Sequence, residues 1–245
     1  MGLDIYVGSL TRYFSRDWKT ILQQWAESGK GPPFELVREN EPSDVVTDPE
    51  QIRPAVVAWR EGLNQALAAH VASPIAWDEH GETPYFTDKP GWSGHGALVL
   101  WTAYSEHPDL PRPASNPLAL PDRTDGDWHE DVAYRRSTTC GFATRYGQLL
   151  DDVEVWLPAE FSFTFEAQWV TGTTIRFGSC QRLVAQLDAL NASTWNVTAV
   201  ELERWRHDGA EFDAPLEVSA RFAFAVARTL AGGSTRRCGS WTRSG

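Results

Sequence analysis

The sequence has few cysteines, and this scarcity excludes two common ways of stabilising a fold. Three residues, Cys140, Cys180 and Cys238, are spread over 245 positions. A disulfide framework needs a larger and usually even set, and a zinc site of the Cys-x-x-Cys type needs closely spaced pairs. We therefore expect reduced thiols, as in a cytoplasmic protein, and no bound metal.

Long apolar runs are missing too. A membrane-spanning helix needs about 18 or more consecutive apolar residues, and no segment approaches that length. The first residues, MGLDIYVGSLTRYF, lack the basic region and the apolar core of a secretory signal. These absences predict a cytoplasmic protein that is not embedded in a membrane.

Positive charge is also in short supply. The chain has 22 Lys and Arg residues against 33 Asp and Glu residues, which gives a net charge of -11. Nucleic acids and anionic membrane surfaces are bound mainly through Lys and Arg. The balance excludes general nucleic-acid binding and is compatible with a basic protein as a partner.

The common catalytic and nucleotide-binding motifs are absent. The sequence has no Gly-rich phosphate loop and no His pair at metal-binding spacing, so the cofactor is left unknown. Residues 91–96, GWSGHG, approach the G-x-S-x-G motif of hydrolases, but His95 stands where that motif needs glycine. Pro90 is also a poor end for the central strand that must precede the motif.

Tryptophan, in contrast, is abundant, with 12 residues. Its side chain has a large apolar surface and an N–H donor, so it commonly anchors a core. The same side chain also lines pockets for flat ligands. The composition leaves both interpretations open, core anchors or an aromatic binding site.

Alternating apolar residues predict about five strands, at 3–8, 34–39, 153–157, 160–170 and 174–178. The fourth of these places Phe161, Phe163 and Phe165 on one face. A turn at 171–173 then leads the chain back along the fifth segment. This order predicts an antiparallel hairpin or meander in the C-terminal half.

Apolar residues at helical spacing predict about six helices. The clearest begins at Asp48-Pro49-Glu50, where an N-cap is followed by proline and an acidic first turn. A helix over 15–28 lies between the first two strands, which is the order of a βαβ unit. Together the elements predict an α+β (mixed α/β) fold in one globular domain over residues 1–231.

Two segments depart from this regularity. Residues 73–131 are interrupted by eight prolines, and long irregular segments are usually functional, lids or disordered. Within this stretch, residues 97–106 fit a buried helix or a central strand, and we favour a helix. Residues 232–245 are basic and lack aliphatic side chains, which predicts a disordered tail or an altered sequence.

The candidate ligand-binding residues lie early in the proline-rich segment. Tyr85, Asp88, Trp92 and His95 offer aromatic faces, a carboxylate and an imidazole on a backbone broken by Gly and Pro. Such side chains on loops commonly line pockets. Asp4 on the first strand is a fifth candidate, as a carboxylate projecting into a pocket. The alternatives are an ordinary connecting segment and a solvent-facing Asp4.

Two classes of function follow from these observations. The missing motifs and the acidic charge favour a binding protein, whose partner is a basic protein or an aromatic small molecule. The alternative is a small-molecule enzyme, hydrolytic or metal-assisted. Its site would lie within residues 78–129, where Asp, Glu and His side chains are frequent.

Overall fold

The computed structural model of the chain describes residues 3–29, 47–80, 84–119, 127–211, 213–237 and 240–244. For Asp4, Asp127 and residues 233–237 and 240–244 it describes the backbone alone. None of the helices within these ranges is both long enough and apolar enough to cross a membrane.

The described residues form an α+β fold, as predicted. The helices are α1 Leu10–Ser15, α2 Ile21–Glu27, α3 Pro49–Leu67, α4 Gly91–Glu106, α5 Val132–Thr138, α6 Gly147–Leu150, α7 Cys180–Ser193, α8 Ala199–Asp208 and α9 Leu216–Arg237. The strands are β1 Asp4–Gly8, β2 Phe86–Asp88, β3 Val155–Leu157, β4 Phe165–Gln168, β5 Thr174–Ser179 and β6 Ser240–Ser244. A 3-10 turn, Asp127–Glu130, precedes α5.

The strands fall into two groups that the last strand joins. One group is β2–β1 and the other is β3–β5–β4; β6 pairs with β1 and with β3, which gives the order β2-β1-β6-β3-β5-β4. β3 and β5 are parallel, and the other pairs are antiparallel. The sheet is therefore mixed, with one parallel pair among antiparallel ones.

The predicted C-terminal hairpin is confirmed. β4 and β5 pair from Phe165 opposite Phe177 to Gln168 opposite Thr174, and Gly172 in the turn has a φ of 88°, which glycine adopts without strain. The fourth strand is shorter than the predicted 160–170. The residues before Phe165 do not pair with β5, although their rings still pack beside the sheet.

A single helix over 15–28 was predicted, but within that range the helix covers Ile21–Glu27, and a separate helix, α1, ends where the predicted one was to begin. α1 ends at Arg16, which has a left-handed backbone with a φ of 61°. α2 then starts at a new N-cap, Thr20, in a reciprocal capping box with Gln23. The two caps end one helix and begin another within a few residues. The strand predicted at 34–39, and with it the βαβ unit, lies outside the described residues.

Helices cover both faces of the sheet. On one face, α4, α7 and α9 form a core with Ile5 and Val7 of β1 and with Trp156 of β3. On the other face, α1 and α3 pack against Val155 and Leu157 of the same strand. Successive residues of β3 therefore face different cores, as the alternation of a strand requires.

α4 is the central helix of the larger core. Every residue from Ala97 to Tyr104 is buried, and a helix that is apolar on all sides belongs in an interior. The preference for a helix over 97–106 is confirmed, but the helix begins earlier, at Gly91. This glycine has a φ of 71° and turns the chain from β2 into α4. β2 and the whole of α4 thus lie within the segment 73–131, of which only residues 97–106 were predicted to be regular.

The start of α3 is also as predicted. The Asp48 side chain accepts a hydrogen bond from the backbone N–H of Glu50 at 3.0 Å, and Pro49 opens the helix. At the other end of the chain, the backbone is helical to Arg237 and strand-like over Ser240–Ser244. The proposed alteration of the sequence after about residue 232 stays a prediction.

Candidate functional site

A cleft of about 720 Å³ lies between α2 and α8, and we call it the α2–α8 cleft. Its apolar wall comes from α2 and α9 and consists of Ile21, Leu22, Trp25 and Phe222. Its polar wall comes from the end of β2 and from α8, with Asp88, Lys89, Glu203, Arg206, His207 and Asp208. Gly209 closes the end of α8 and also lines the cleft.

The apolar wall is more exposed than a core-facing surface. Leu22 is 38% exposed and Trp25 is 49% exposed. The two lie three residues apart on α2, so they share one face of the helix. Large apolar side chains grouped at a concave surface are typical of binding sites rather than of ordinary exposed positions.

α2 is held beside β2 by polar contacts on its other side. The Gln24 Nε2 donates to Thr87 Oγ1 at 3.1 Å and to the Lys19 carbonyl at 2.9 Å. Thr87 Oγ1 in turn donates to the same carbonyl at 3.0 Å. These bonds fix the orientation of the helix, so Leu22 and Trp25 stay turned toward the cleft.

The polar wall is centred on an ion pair between β2 and α8. Arg206 Nε donates to Asp88 Oδ2 at 2.8 Å. Asp88 is 8% exposed, and its other oxygen accepts from the Lys89 N–H at 2.9 Å. A buried carboxylate needs such partners because unpaired charge in an interior is strongly destabilising. The pair therefore fixes the position of the Arg206 side chain.

Of the five predicted site residues, Asp88 lines this cleft. Tyr85 lies at the β1–α1 side, where its hydroxyl accepts from the Lys19 N–H at 3.1 Å. Its ring is 6.1 Å from that of Tyr6. For Asp4 the structure describes the backbone, which pairs with Ser244.

Trp92 and His95 lie in a third neighbourhood. Both belong to the first turns of α4, where a flexible Gly- and Pro-broken loop was expected. Trp92 stacks on Trp128 at 6.2 Å, and the His95 ring meets the same indole edge-on at 5.6 Å. The structure thus does not gather the predicted residues in one place. A ligand-binding role for Tyr85, Trp92, His95 and Asp4 stays a prediction.

The sequence alone gave little signal for the residues that complete the cleft. Leu22 and Trp25 were visible as part of a helical stripe, but such a stripe is more commonly buried. Arg206 stands 118 positions from Asp88, and no local pattern connects the two. Charge complementarity between distant segments can be recognised only after the fold brings them together.

A second polar cluster joins the 3-10 turn to the loop before β3. His129 Nε2 lies 3.0 and 2.9 Å from the two Asp152 carboxylate oxygens, and Tyr134 OH donates to Asp152 Oδ2 at 3.1 Å. Burial and the nearby Asp152 charge raise the pKa of Tyr134. A His held by a carboxylate resembles part of a catalytic triad. Among the described residues, however, no Ser, Thr or Cys side chain is hydrogen-bonded to His129.

A buried Ser–His pair lies at the end of α4. His107 Nε2 is 3.0 Å from Ser137 Oγ, and the two residues are 2% and 1% exposed. Burial, together with the Arg136 charge, lowers the pKa of His107. A pair that no substrate can reach serves the packing of α4 against α5.

One acidic residue of the region that suggested a metal site, Glu79, has a structural role in the fold. The buried Glu79 carboxylate accepts from the backbone N–H groups of Leu10 at 3.2 Å and Thr11 at 2.7 Å, and from the Trp77 indole. It therefore caps α1, where unpaired N–H groups favour a carboxylate. In the part of the chain that the structure describes, no three His, Cys, Asp or Glu side chains are placed to hold a metal ion.

Comparison with known proteins adds no assignment to these sites. No protein family model matches the chain. No curated protein and no solved structure shows significant similarity to it.

Proposed function

We propose that the chain is a small-molecule-binding protein and that its ligand, a flat and largely apolar molecule, lies in the α2–α8 cleft. The observation that carries this proposal is the half-exposed Trp25 beside Leu22 on the cleft wall. The cleft volume of about 720 Å³ falls in the range of roughly 300–1,000 Å³ that is usual for ligand sites.

The two walls of the cleft contribute to ligand binding in different ways. The Trp25 ring offers a rigid apolar face, and aromatic rings stack on flat ligands at a low cost in conformational entropy. The Asp88–Arg206 pair keeps the opposite wall in place. Burying apolar surface supplies affinity, at roughly 25 cal/mol per Å², and fixed polar groups supply orientation.

The proposal is tested with N-phenylnaphthylamine, an uncharged flat probe whose emission rises in apolar sites. We expect saturable binding to the wild-type chain and binding at least about tenfold weaker in the Trp25→Ala variant, as for a central aromatic contact. The matched control is Phe142→Ala, because Phe142 is 41% exposed and does not line the cleft. Equal affinity of the wild type and Trp25→Ala would refute the proposal.

Two further proposals rest on the sequence rather than on the cleft. A cytoplasmic location is proposed from the scarcity of cysteine. A basic protein partner is proposed from the net charge of -11, and salt-sensitive co-purification tests it. Side chains of both signs line the cleft, so the cleft itself favours the small-molecule ligand.

A further inference from the structure

Arg206 is held in the cleft by one edge of its guanidinium group. The Nε edge donates to Asp88, which is 8% exposed. Nη1 lies 3.9 Å from the Glu203 carboxylate, beyond hydrogen-bond distance. Among the described residues the two terminal nitrogens of Arg206 make no hydrogen bond. The side chain is 32% exposed, so a molecule in the cleft can reach it.

This arrangement is suited to recognising an oxyanion. A guanidinium group presents paired N–H donors in a plane, and they match the two oxygens of a carboxylate. Because Asp88 fixes the Nε edge, little conformational entropy is lost when a ligand meets the terminal nitrogens. An Arg side chain that moved freely would have to be ordered by the ligand.

The charges of the cleft decide which oxyanion fits. Two cationic side chains, Lys89 and Arg206, stand against three carboxylates, those of Asp88, Glu203 and Asp208. A dianion such as a phosphate monoester would be repelled by this surplus of negative charge. A monoanion needs a single ion pair, with Arg206, and the carboxylates of the cleft repel it less than they repel a dianion.

We infer that the ligand of the α2–α8 cleft is an amphipathic monoanion, that is, an apolar molecule with one carboxylate group. This inference rests on the proposed function. The apolar part of the ligand lies against Leu22 and Trp25. Its carboxylate receives hydrogen bonds from the terminal nitrogens of Arg206. Glu203 is the competing group, because its carboxylate lies near Nη1 of Arg206 and its side chain is 65% exposed.

The experiment compares two probes that share a shape and differ in charge. Anilinonaphthalenesulfonate is a monoanion, and N-phenylnaphthylamine is its uncharged counterpart. Dissociation constants of both are measured for the wild type and for the double variant Asp88→Asn/Arg206→Gln. The double variant keeps a hydrogen-bonding pair while removing both charges, which avoids a buried unpaired carboxylate. We expect about tenfold weaker binding of the anionic probe and less than about twofold change for the neutral one.

A second variant tests the same inference from the opposite direction. Glu203→Gln removes the competing carboxylate from an exposed position on α8, so it carries little risk for folding. We expect it to tighten binding of the anionic probe about two- to fivefold, which is the size of one charge repulsion near a protein surface, and to leave the neutral probe unchanged. Glu61→Gln is the matched control, because Glu61 is exposed on α3 and does not line the cleft.

The outcomes separate the two proposals. If both probes bind through Trp25 and neither variant changes the ratio of their affinities, the oxyanion inference is wrong while the proposed function stands. If Trp25→Ala affects neither probe, both proposals fail. If the double variant does not fold, the Glu203→Gln comparison alone decides.

Discussion

Several polar residues are placed inside the molecule where each has a specific partner. Glu79 satisfies the first backbone N–H groups of α1, and Asp88 orients Arg206. His107 is buried against Ser137. Because a buried polar group without a partner is destabilising by about 1–3 kcal/mol, these partners stabilise the fold.

His107 makes stability depend on pH. Burial lowers its pKa in the folded protein, whereas in the unfolded chain a His titrates near about 6.5. Between these two values the unfolded chain binds more protons, so the free energy of unfolding rises with pH. The stabilisation is complete above about pH 6.5 and is lost as the pH falls toward the lower pKa of the folded state. The slope is at most about 1.4 kcal/mol per pH unit.

Urea unfolding between mildly acidic and neutral pH measures this slope. We expect the wild-type slope to shrink in His107→Gln, which cannot take up the proton. The control is His80→Gln, since the His80 side chain is 80% exposed and should leave the slope unchanged. A slope that persists in His107→Gln would assign it to other groups.

At the scale of elements, α4 shows how one small residue allows close packing. An added Cβ at Gly96 would lie 2.3 Å from Leu118 Cδ1 and 2.6 Å from Trp128 Cε3. Both neighbours are buried. The glycine lets the helix approach the indole that also contacts Trp92 and His95.

Gly96→Ala tests this close approach. Alanine favours a helix over glycine by about 1 kcal/mol, but overpacking a core is destabilising by about 1–3 kcal/mol. We expect the clash to dominate, with a net loss of about 1–2 kcal/mol in the free energy of unfolding. Gly62→Ala in α3 is the control, because nothing lies within 4 Å of its added Cβ. Urea unfolding should show that the control gains stability and Gly96→Ala loses it.

At the scale of the whole molecule, β6 connects two parts of the sheet. It pairs with β1 over five residues and with β3 over two. Without it, β1–β2 and β3–β5–β4 would be separate sheets. The helices on the two faces would then pack against fewer common strands. The cooperativity of folding depends on such packing of different elements against the same strands.

Ending the chain after Arg237 tests the role of β6. We expect the free energy of unfolding to fall by about 3 kcal/mol or more, since each lost net hydrogen bond contributes about 0.5–1.5 kcal/mol. Backbone amides of β1 and β3 should also exchange faster with deuterium. A chain that keeps its stability and its protection would instead support the prediction that residues 232–245 are a disordered tail.

The sequence by itself determined the features that depend on neighbours within a few positions. The start of α3 at Asp48 and the hairpin of β4 and β5 follow from capping groups and alternation. Each is set by local backbone geometry, which periodicity reports directly. Local signals were less reliable at element ends, as the break between α1 and α2 at Arg16 shows.

Only the tertiary structure decided where the chemistry lies. Residues 85–95, which include four of the candidate site residues, were expected to form a flexible loop, but most of them form β2 and the first turns of α4. Their side chains point to different neighbourhoods. The α2–α8 cleft depends on the hydrogen bond between Arg206 and Asp88, which are 118 positions apart in the sequence. It also depends on the hydrogen bond from Gln24 to Thr87, which orients α2. Contacts of this kind arise from the packing of distant elements, which a single sequence does not encode in any local pattern.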